Sequence, residues 1–536
     1  MKNDNKNNQP SSSTGKIARS AGAVSGAVMC SRVLGLIREQ LFAGFFGAGY
    51  AYDAFVVAFR IPNLLRDLFG EGALSAAFVT VFSDYDTNKG SKATWELAST
   101  VLIFFAVLLS IITLVGIYFA GPIVNLLAPD FQMVEGKTEL TTGLTKIMFP
   151  FLTLVSLSAV VMGMLNTKGK FFVPAMASSF FNLGSIIGGV SLALIFPHFD
   201  LPAITGMAWG TLIGGLLQLC MQLPTLKKTG FTFTPRLNIK DPGLRRILYL
   251  MLPATIGLSA TQLNIFINTN FASSCSEGSV SWLNYAFRLV QLPIGLFGVA
   301  LSIAAMPILA KQAAQKNMLG LKDSFISSLV LVFSLTIPAT VGLILLAEPI
   351  IKLIFEHGAF SSFDTSKTAE ALQFYALGLF AYSAIKVMVP VFYAINNTRF
   401  PVIGSFLGVG LNIIIINLLI DQMQHKGIAL STSCAIGCNF LFLGCILYKK
   451  LDGLPLTYLL SGLIKIIGSA LLMGMVIMFL HQQIQPWMDA SILTQLCGVF
   501  FLIGCGGTIY GIALQALKLP EFILLTKKLT QRFHRS

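Results

Sequence analysis

The chain has 536 residues, and a soluble protein of this length would form several domains of roughly 150 residues each. Its composition excludes that class, because only 11% of its residues are charged and its mean hydropathy is +0.76, whereas ordinary soluble domains are about 25% charged. The net charge of +14 does not indicate nucleic-acid binding, because the sequence has no basic helix interleaved with aromatic residues.

A polar segment, residues 1–15, opens the chain and is predicted to be disordered. No small-residue cleavage site follows it, so we predict that the first apolar run is retained as a membrane span. Apolar runs of about 20 residues recur along the rest of the chain, each long enough to cross a bilayer as a helix. Fourteen spans are predicted, at 17–43, 51–83, 97–119, 144–166, 171–196, 203–224, 247–272, 281–310, 325–346, 369–395, 401–420, 427–448, 456–480 and 491–516.

Most Lys and Arg residues lie in the loops between these spans, and mainly in the loops on the side of the two termini. Cytoplasmic loops of membrane proteins carry an excess of basic residues. An even number of spans places both termini on one side, so we predict that both are cytoplasmic. This bias also explains the isoelectric point of about 9.4 without a nucleic-acid partner.

The chain contains an internal repeat. AFRIPNLLRDLFGEGALSAAF at 58–78 matches AFRLVQLPIGLFGVALSIAAM at 286–306 in nine of 21 positions, and Asn182 matches Asn412 at a similar offset. The offset covers six spans, so both copies have the same orientation, as in transporters built from two parallel lobes. We predict an all-α integral membrane fold with two six-helix lobes and two further C-terminal helices. The predicted segments are a cytoplasmic N-terminus at 1–15, an N-lobe at 16–240, a C-lobe at 241–450, a helix pair at 451–520 and a cytoplasmic tail at 521–536.

Charged residues inside the spans are the main functional signal. The second span contains, within 19 residues, Asp53, Arg60, Asn63, Arg66, Asp67 and Glu71. At about 100° per residue, most of these charges form one stripe on a single helix face. The first span adds Arg32, Arg38 and Glu39, and later spans add Arg288 and Lys386. A charge at the bilayer centre costs roughly 3 kcal/mol, so the stripe is expected to face protein or water.

Two interpretations of these charges remain open. The first is a set of structural ion pairs that hold helices together. The second is a hydrated cationic cavity, favoured because the basic residues outnumber the acids and Arg288 has no acidic neighbour in sequence. Arginine donates two parallel hydrogen bonds to phosphate, so the second interpretation predicts an anionic, phosphorylated substrate in a chamber between the lobes.

Metal and nucleotide chemistry is not predicted. The eight cysteines lie mostly in apolar runs and the five histidines are scattered, so no ligand cluster is indicated. The sequence also has no P-loop and no Ser/His/Asp set. We therefore predict a transporter without cofactors or enzymatic activity, driven by an ion gradient, the membrane potential or the substrate gradient.

Several segments carry a family resemblance. SRVLGLIRE (31–39), GAGYAYDAF (47–55), AFRIPNLLRDLFGEGALSAAFVTVF (58–82), GSVSWLNYAFRLVQLPIGLFGVAL (278–301) and KVMVPVFYAINNTRFP (386–401) closely resemble the MurJ (MviN) family of lipid II flippases. This family belongs to the multidrug/oligosaccharidyl-lipid/polysaccharide exporter superfamily. The resemblance implies export of the undecaprenyl-pyrophosphate-linked disaccharide-pentapeptide to the outer leaflet of the bacterial inner membrane, for peptidoglycan synthesis and cell shape.

The resemblance also implies roles for individual residues. It marks Arg32, Arg38, Arg66 and Arg288 as essential cavity residues, and it implies that the C-terminal helix pair forms a groove for the polyprenyl tail. The expected substrate-binding set is Arg32, Arg38, Glu39, Asp53, Arg60, Asn63, Arg66, Glu71, Arg288 and Lys386. The expected partners are this substrate and membrane lipids, with cell-wall synthesis proteins as candidates, and a monomer is expected.

Two departures from the family pattern bear on energy coupling. Phe287 stands where some members have an acid before the arginine of the eighth span. Some members bind sodium through acids in spans seven and eleven, and the matching positions here are interpreted as Asn268 and Asn397. Without those carboxylates a sodium site is not expected, and coupling to protons or to the potential stays open.

Two functions other than lipid II export are also compatible with the sequence. An ion-coupled exporter of drugs or other small molecules would use the same two lobes, although an exporter of cations favours an acidic cavity. A membrane scaffold for cell-wall enzymes would tolerate Arg32→Ala or Arg288→Ala, whereas we expect loss of function.

Overall fold

The computed structural model describes residues 11–67, 73–235, 237–524 and 526. Within these ranges the chain is helical. The helices are α1 (Ser11–Phe46), α2 (Tyr50–Arg66), α3 (Ala73–Asn88), α4 (Gly90–Tyr118), α5 (Ala120–Leu127), α6 (Lys137–Met148), α7 (Phe151–Thr167), α8 (Phe172–Ile195), α9 (Ala203–Cys220), α10 (Leu223–Lys228), α11 (Pro242–Ser273), α12 (Ser279–Pro293), α13 (Ala300–Ala314), α14 (Met318–Leu345), α15 (Ala347–Phe355), α16 (Ser362–Ala376), α17 (Leu379–Ala394), α18 (Arg399–Met423), α19 (His425–Lys450), α20 (Leu456–Met488) and α21 (Ile492–Ala516). A π-helical turn, Ile294–Val299, joins α12 to α13.

The predicted all-α membrane fold is confirmed, and each predicted span contains a helix or a pair of consecutive helices. Among the described residues, ten helical stretches are long and apolar enough to cross a membrane. An eleventh is reached if α16 and α17, bent by 42°, form one span. The count of fourteen, the boundaries of the lobes and the disorder of residues 1–15 stay predictions, and α1 begins at Ser11.

The chain divides into two compact units. Among the described residues, the first unit comprises those up to Phe42 and those from Tyr50 to Gln262, and the second comprises Ala43–Gly49 and those from Leu263 onward. In the first unit, α3, α4 and α7 surround an aromatic core in which Phe82 lies 5.2 Å from Phe78 and 5.7 Å from Trp95, between ring centroids. Burial of these large rings is a main source of stability for the unit.

Close packing of α8 on α9 also shapes the first unit. A side chain at Gly210 would collide with the backbone of Gly189, and one at Gly214 would collide with the carbonyl of Phe181. Small residues let membrane helices approach this closely. The contact therefore fixes α8 and, with it, the ring of Phe181, which bears on the site described below.

In the second unit, the C-terminal helices α20 and α21 are attached to the remaining helices along their length. Tyr510 donates a hydrogen bond to the carbonyl of Ser334 at 2.7 Å, and both groups are buried. At one end, Lys352 on α15 donates to Asp489 at 2.7 Å, which raises the pKa of Lys352. These bonds join α14 and α15 to the helix pair.

Candidate functional site

Arg38, Glu39 and Tyr52 form a connected cluster in the first unit. The Nη2 atom of Arg38 donates to Glu39 Oε1 at 2.9 Å, and the hydroxyl of Tyr52 donates to Glu39 Oε2 at 2.9 Å. Glu39 is only 3% exposed and Tyr52 only 2%. The carboxylate is thus held from both sides, by the arginine on its own helix and by a tyrosine on α2.

Phe181 on α8 supports the other side of Arg38. The guanidinium carbon lies 5.2 Å from the centroid of the Phe181 ring, within the range of a cation–π contact. Phe181 in turn packs on Phe151, 5.4 Å away between centroids. The Arg38 guanidinium is therefore contacted by Glu39 on α1 and Phe181 on α8, and Tyr52 on α2 holds the glutamate.

Three further predicted site residues lie on α1 and α2 of the first unit. Arg32 is exposed, whereas Arg60 and Asn63 are partly buried. Arg60 follows Asp53 by seven residues, so the two share a face of α2, as the sequence predicts.

The C-terminal end of α2 holds a second arginine with a carboxylate. Arg66 Nη2 lies 2.7 Å from Asp67 Oδ1, and Gln262 on α11 donates to Asp67 Oδ2 at 3.1 Å. Both side chains of the pair keep about a quarter of their surface accessible, 23% for Arg66 and 29% for Asp67. Glu71, the last predicted residue of the stripe, lies outside the described residues.

Asp53 occupies a different environment from the one expected for a cavity residue. Lys137 Nζ on α6 lies 3.0 Å from Asp53 Oδ2, and the two side chains are 3% and 2% exposed. The ammonium group also lies 4.3 Å from the centroid of the Phe131 ring. This geometry favours the structural interpretation for Asp53, since the pair joins α2 to α6 inside the unit.

Arg288 and Lys386 belong to the second unit. Arg288 is partly buried on α12, and Lys386 is exposed on α17. The backbone carbonyl of Lys386 accepts a hydrogen bond from Ser302 at 2.6 Å, which ties α17 to α13. Phe287, where some family members have an acid, packs on Tyr375 with 5.3 Å between ring centroids.

The internal repeat has a structural counterpart in two asparagines. Asn182 on α8 donates to the carbonyl of Ser31 on α1 at 3.0 Å. Asn412 on α18 donates to Asn264 and Asn268 on α11, at 2.8 and 2.7 Å. Both therefore bond across helices.

Asn417 differs from these two residues. Its side chain donates to the carbonyl of Ile413 within α18 and not to another helix in this bond.

The residues around Asn268 form a hydrogen-bonded cluster of neutral side chains. The Oδ1 atoms of Asn264 and Asn268 both accept hydrogen bonds from Asn412, and Asn268 Nδ2 donates to Thr432 Oγ1 at 2.9 Å. Each of these oxygens accepts one N–H donor, and the described residues include no group of three or more His, Cys, Asp or Glu side chains suited to a metal. Asn397, the other expected match, lies in the turn between α17 and α18.

The charge balance of the first unit is positive around the predicted site. From residue 32 to residue 67, together with Lys137, five basic residues stand against three acids. The Asp53–Lys137 pair is neutral and buried, so the remaining excess belongs to the arginines of α1 and α2. Such an excess suits an anionic ligand.

Comparison with known proteins gives consistent results. Residues 42–498 match the family model described as lipid II flippase MurJ. A probable lipid II flippase MurJ of Buchnera aphidicola subsp. Acyrthosiphon pisum is 35% identical over 480 residues, covering 89% of this chain and 93% of that protein. The lipid II flippase MurJ of Burkholderia cenocepacia is 35% identical over 460 residues, covering 84% and 87%.

A solved structure is also similar. A lipid II flippase MurJ in an inward closed conformation superposes with a TM-score of 0.75 at 29% identity, covering 92% of this chain and 99% of that one. The resemblance predicted from the motifs is confirmed.

Proposed function

The chain belongs to the lipid II flippase MurJ family, and from that premise we propose that it moves a lipid-linked peptidoglycan precursor across the bacterial inner membrane. The proposed substrate is the undecaprenyl-pyrophosphate-linked disaccharide-pentapeptide, carried from the cytoplasmic to the outer leaflet by alternating access. The observation that carries the proposal is the set of arginines placed within otherwise apolar helices, namely Arg32, Arg38, Arg60, Arg66 and Arg288.

Arginine suits the pyrophosphate of this substrate. Its planar guanidinium stays charged in a partly dry site and donates two parallel hydrogen bonds to phosphate oxygens. A charge inside a membrane helix is costly, and such residues commonly mark a substrate path. We therefore assign the pyrophosphate to these arginines, with Asn63 and Lys386 as further polar contacts for the headgroup.

The polyprenyl tail is assigned to the C-terminal helix pair. Along α20, exposed apolar side chains recur at helical spacing, at Ile464, Leu471, Met475 and Phe479. They form one stripe on the helix surface, to which an isoprenoid chain can bind by apolar contact. In this proposal both termini are cytoplasmic, the protein acts as a monomer, and cell-wall synthesis proteins are its candidate partners.

A reconstituted flipping assay tests the function. The purified full-length chain is placed in liposomes with the purified precursor, and the fraction of precursor accessible from outside is followed with and without an imposed membrane potential. We expect precursor to cross at least tenfold faster than in liposomes containing α-helical membrane protein of unrelated fold. One elementary charge moving through 100 mV changes the free energy by about 2.3 kcal/mol, so a potential that drives transport will alter the rate measurably.

Equal rates in the two preparations would contradict the proposal. In cells, depletion of the protein is expected to cause precursor to accumulate on the cytoplasmic side. Efflux of a cationic dye without any movement of precursor would instead support the small-molecule exporter.

Sodium is expected to be dispensable. Because the asparagine cluster around Asn268 is neutral and its oxygens accept hydrogen bonds, replacing sodium by potassium on both sides of the liposomes should change the flipping rate by less than about twofold. The measurement is the initial flipping rate at constant ionic strength. A loss of flipping that returns on addition of sodium would show that this cluster, or another site, binds the ion.

A further inference from the structure

The pairing of Arg38 with Glu39 needs an explanation, because the two residues are adjacent in one helix. Consecutive helical side chains diverge by about 100°, so neighbours do not face each other. A third group that holds the glutamate would favour the observed 2.9 Å contact. Tyr52 is such a group, since its hydroxyl donates to the second oxygen of Glu39 at 2.9 Å.

We propose that Tyr52 is a positioning residue for the substrate-binding arginine Arg38, acting through Glu39. This inference rests on the proposed function, in which Arg38 contacts the pyrophosphate. Tyr52 fixes Glu39 from α2, Glu39 fixes one edge of the guanidinium, and Phe181 supports its face at 5.2 Å. Arginine has a flexible side chain, and holding it in one conformation before the ligand arrives lowers the entropy that binding loses.

Tyr52 is itself held rigidly. Its ring lies 5.6 Å from Phe42 and 6.1 Å from Phe55, between centroids, and it is 2% exposed. The hydroxyl is the polar atom of this side chain, and it reaches the Glu39 carboxylate. A phenylalanine would keep the ring contacts and remove that hydrogen bond, so Tyr52→Phe separates positioning from packing.

Loss of the hydroxyl is expected to change how Glu39 and Arg38 interact. Glu39 is buried, so its charge must be compensated by the groups that remain. Without Tyr52 the carboxylate turns further toward Arg38, and the arginine is less available to a phosphate. We expect affinity for the precursor to fall about tenfold, the size set by one lost hydrogen bond to a charged group.

The test measures binding of the purified precursor to the full-length chain in detergent, and flipping in liposomes, for wild type and Tyr52→Phe. The matched control is Tyr85→Phe, another buried tyrosine, which lies on α3 in the hydrophobic core of the first unit. We expect the control to bind within twofold of wild type and Tyr52→Phe to bind about tenfold more weakly at equal abundance. If wild type neither binds nor flips the precursor, the proposed function is wrong, whereas equal binding by wild type and Tyr52→Phe overturns only the inference.

A double variant distinguishes positioning from a general structural role. Glu39→Gln removes the charge that Tyr52 holds, so adding Tyr52→Phe to it should weaken binding by less than twofold more. Phe181→Leu removes the aromatic ring that contacts the guanidinium and leaves Tyr52 in place. This single variant should weaken binding about threefold. Fully additive effects of Tyr52→Phe and Glu39→Gln would contradict the inference, because they would mean that the tyrosine does not act through the glutamate.

Discussion

Replacing Arg288 with alanine is expected to lower the rate of lipid II flipping by roughly a hundredfold or more, because a phosphate would lose up to two charge-assisted hydrogen bonds of about 1.5–3 kcal/mol each. Arg288 is partly buried on α12. Its removal takes a charge out of a membrane helix, which lowers the cost of insertion, so the protein should reach normal abundance. The flipping rate in liposomes, normalised to the amount of folded protein, is the measurement.

Two further variants test whether the loss of flipping in Arg288→Ala is specific to this arginine. Arg288→Lys keeps the charge but lacks the planar fork, so we expect a rate between those of wild type and Arg288→Ala. Arg246→Ala is the matched control, because it removes an arginine whose ion pair with Asp84 is exposed on the surface of the first unit. Exposed pairs contribute about 0–1 kcal/mol, so this control should flip at nearly the wild-type rate. If Arg288→Ala flips lipid II as fast as Arg246→Ala does, Arg288 is not part of the substrate site. That result would favour the alternative function, a membrane scaffold for cell-wall enzymes.

The apolar runs were sufficient to predict the helices, but not where each helix begins. The predicted fourth span starts at residue 144, whereas α6 starts at Lys137. Hydropathy does not predict the first part of α6, because that part contains polar residues. Those of them that are buried form hydrogen bonds or an ion pair inside the protein. Thr141 and Thr145 donate to carbonyls of their own helix at 2.6 and 2.7 Å, and Lys137 pairs with Asp53. A spacing of four residues between Lys137, Thr141 and Thr145 was the available signal, since it places them on one helix face.

The same principle limits prediction of the site. The sequence identifies charges in membrane helices directly, because such residues are costly and therefore rare. It does not reveal which charges are neutralised, because partners such as Asp53 and Lys137 lie 84 residues apart and meet only after folding. Tyr52 and Phe181 were missed for a related reason, since buried aromatic residues in apolar spans are ordinarily core residues.

Removing the ammonium group of Lys137 is expected to destabilise the protein by about 3–5 kcal/mol, because the buried Asp53 carboxylate would lose its ion-pair partner. Both side chains are at most 3% exposed, so water cannot replace the lost partner. Lys137→Met should therefore accumulate poorly and unfold at a lower temperature than wild type. The measurement is the unfolding temperature of the purified chain, obtained by heating samples and determining by size-exclusion chromatography how much folded protein remains.

The double variant Asp53→Asn with Lys137→Met tests whether Asp53 has only a structural role in the buried pair or also serves the substrate. Removing both partners of a buried pair is often nearly neutral, so we expect abundance and unfolding temperature to return close to wild type. If Asp53 acts only through this pair, the double variant will also flip at no less than about half the wild-type rate, because no group that contacts substrate has been changed. A stable double variant that does not flip would mean that the carboxylate of Asp53 serves the substrate directly. In that case the buried pair with Lys137 would have to open during the transport cycle, at the energetic cost of separating two charges in a dry interior.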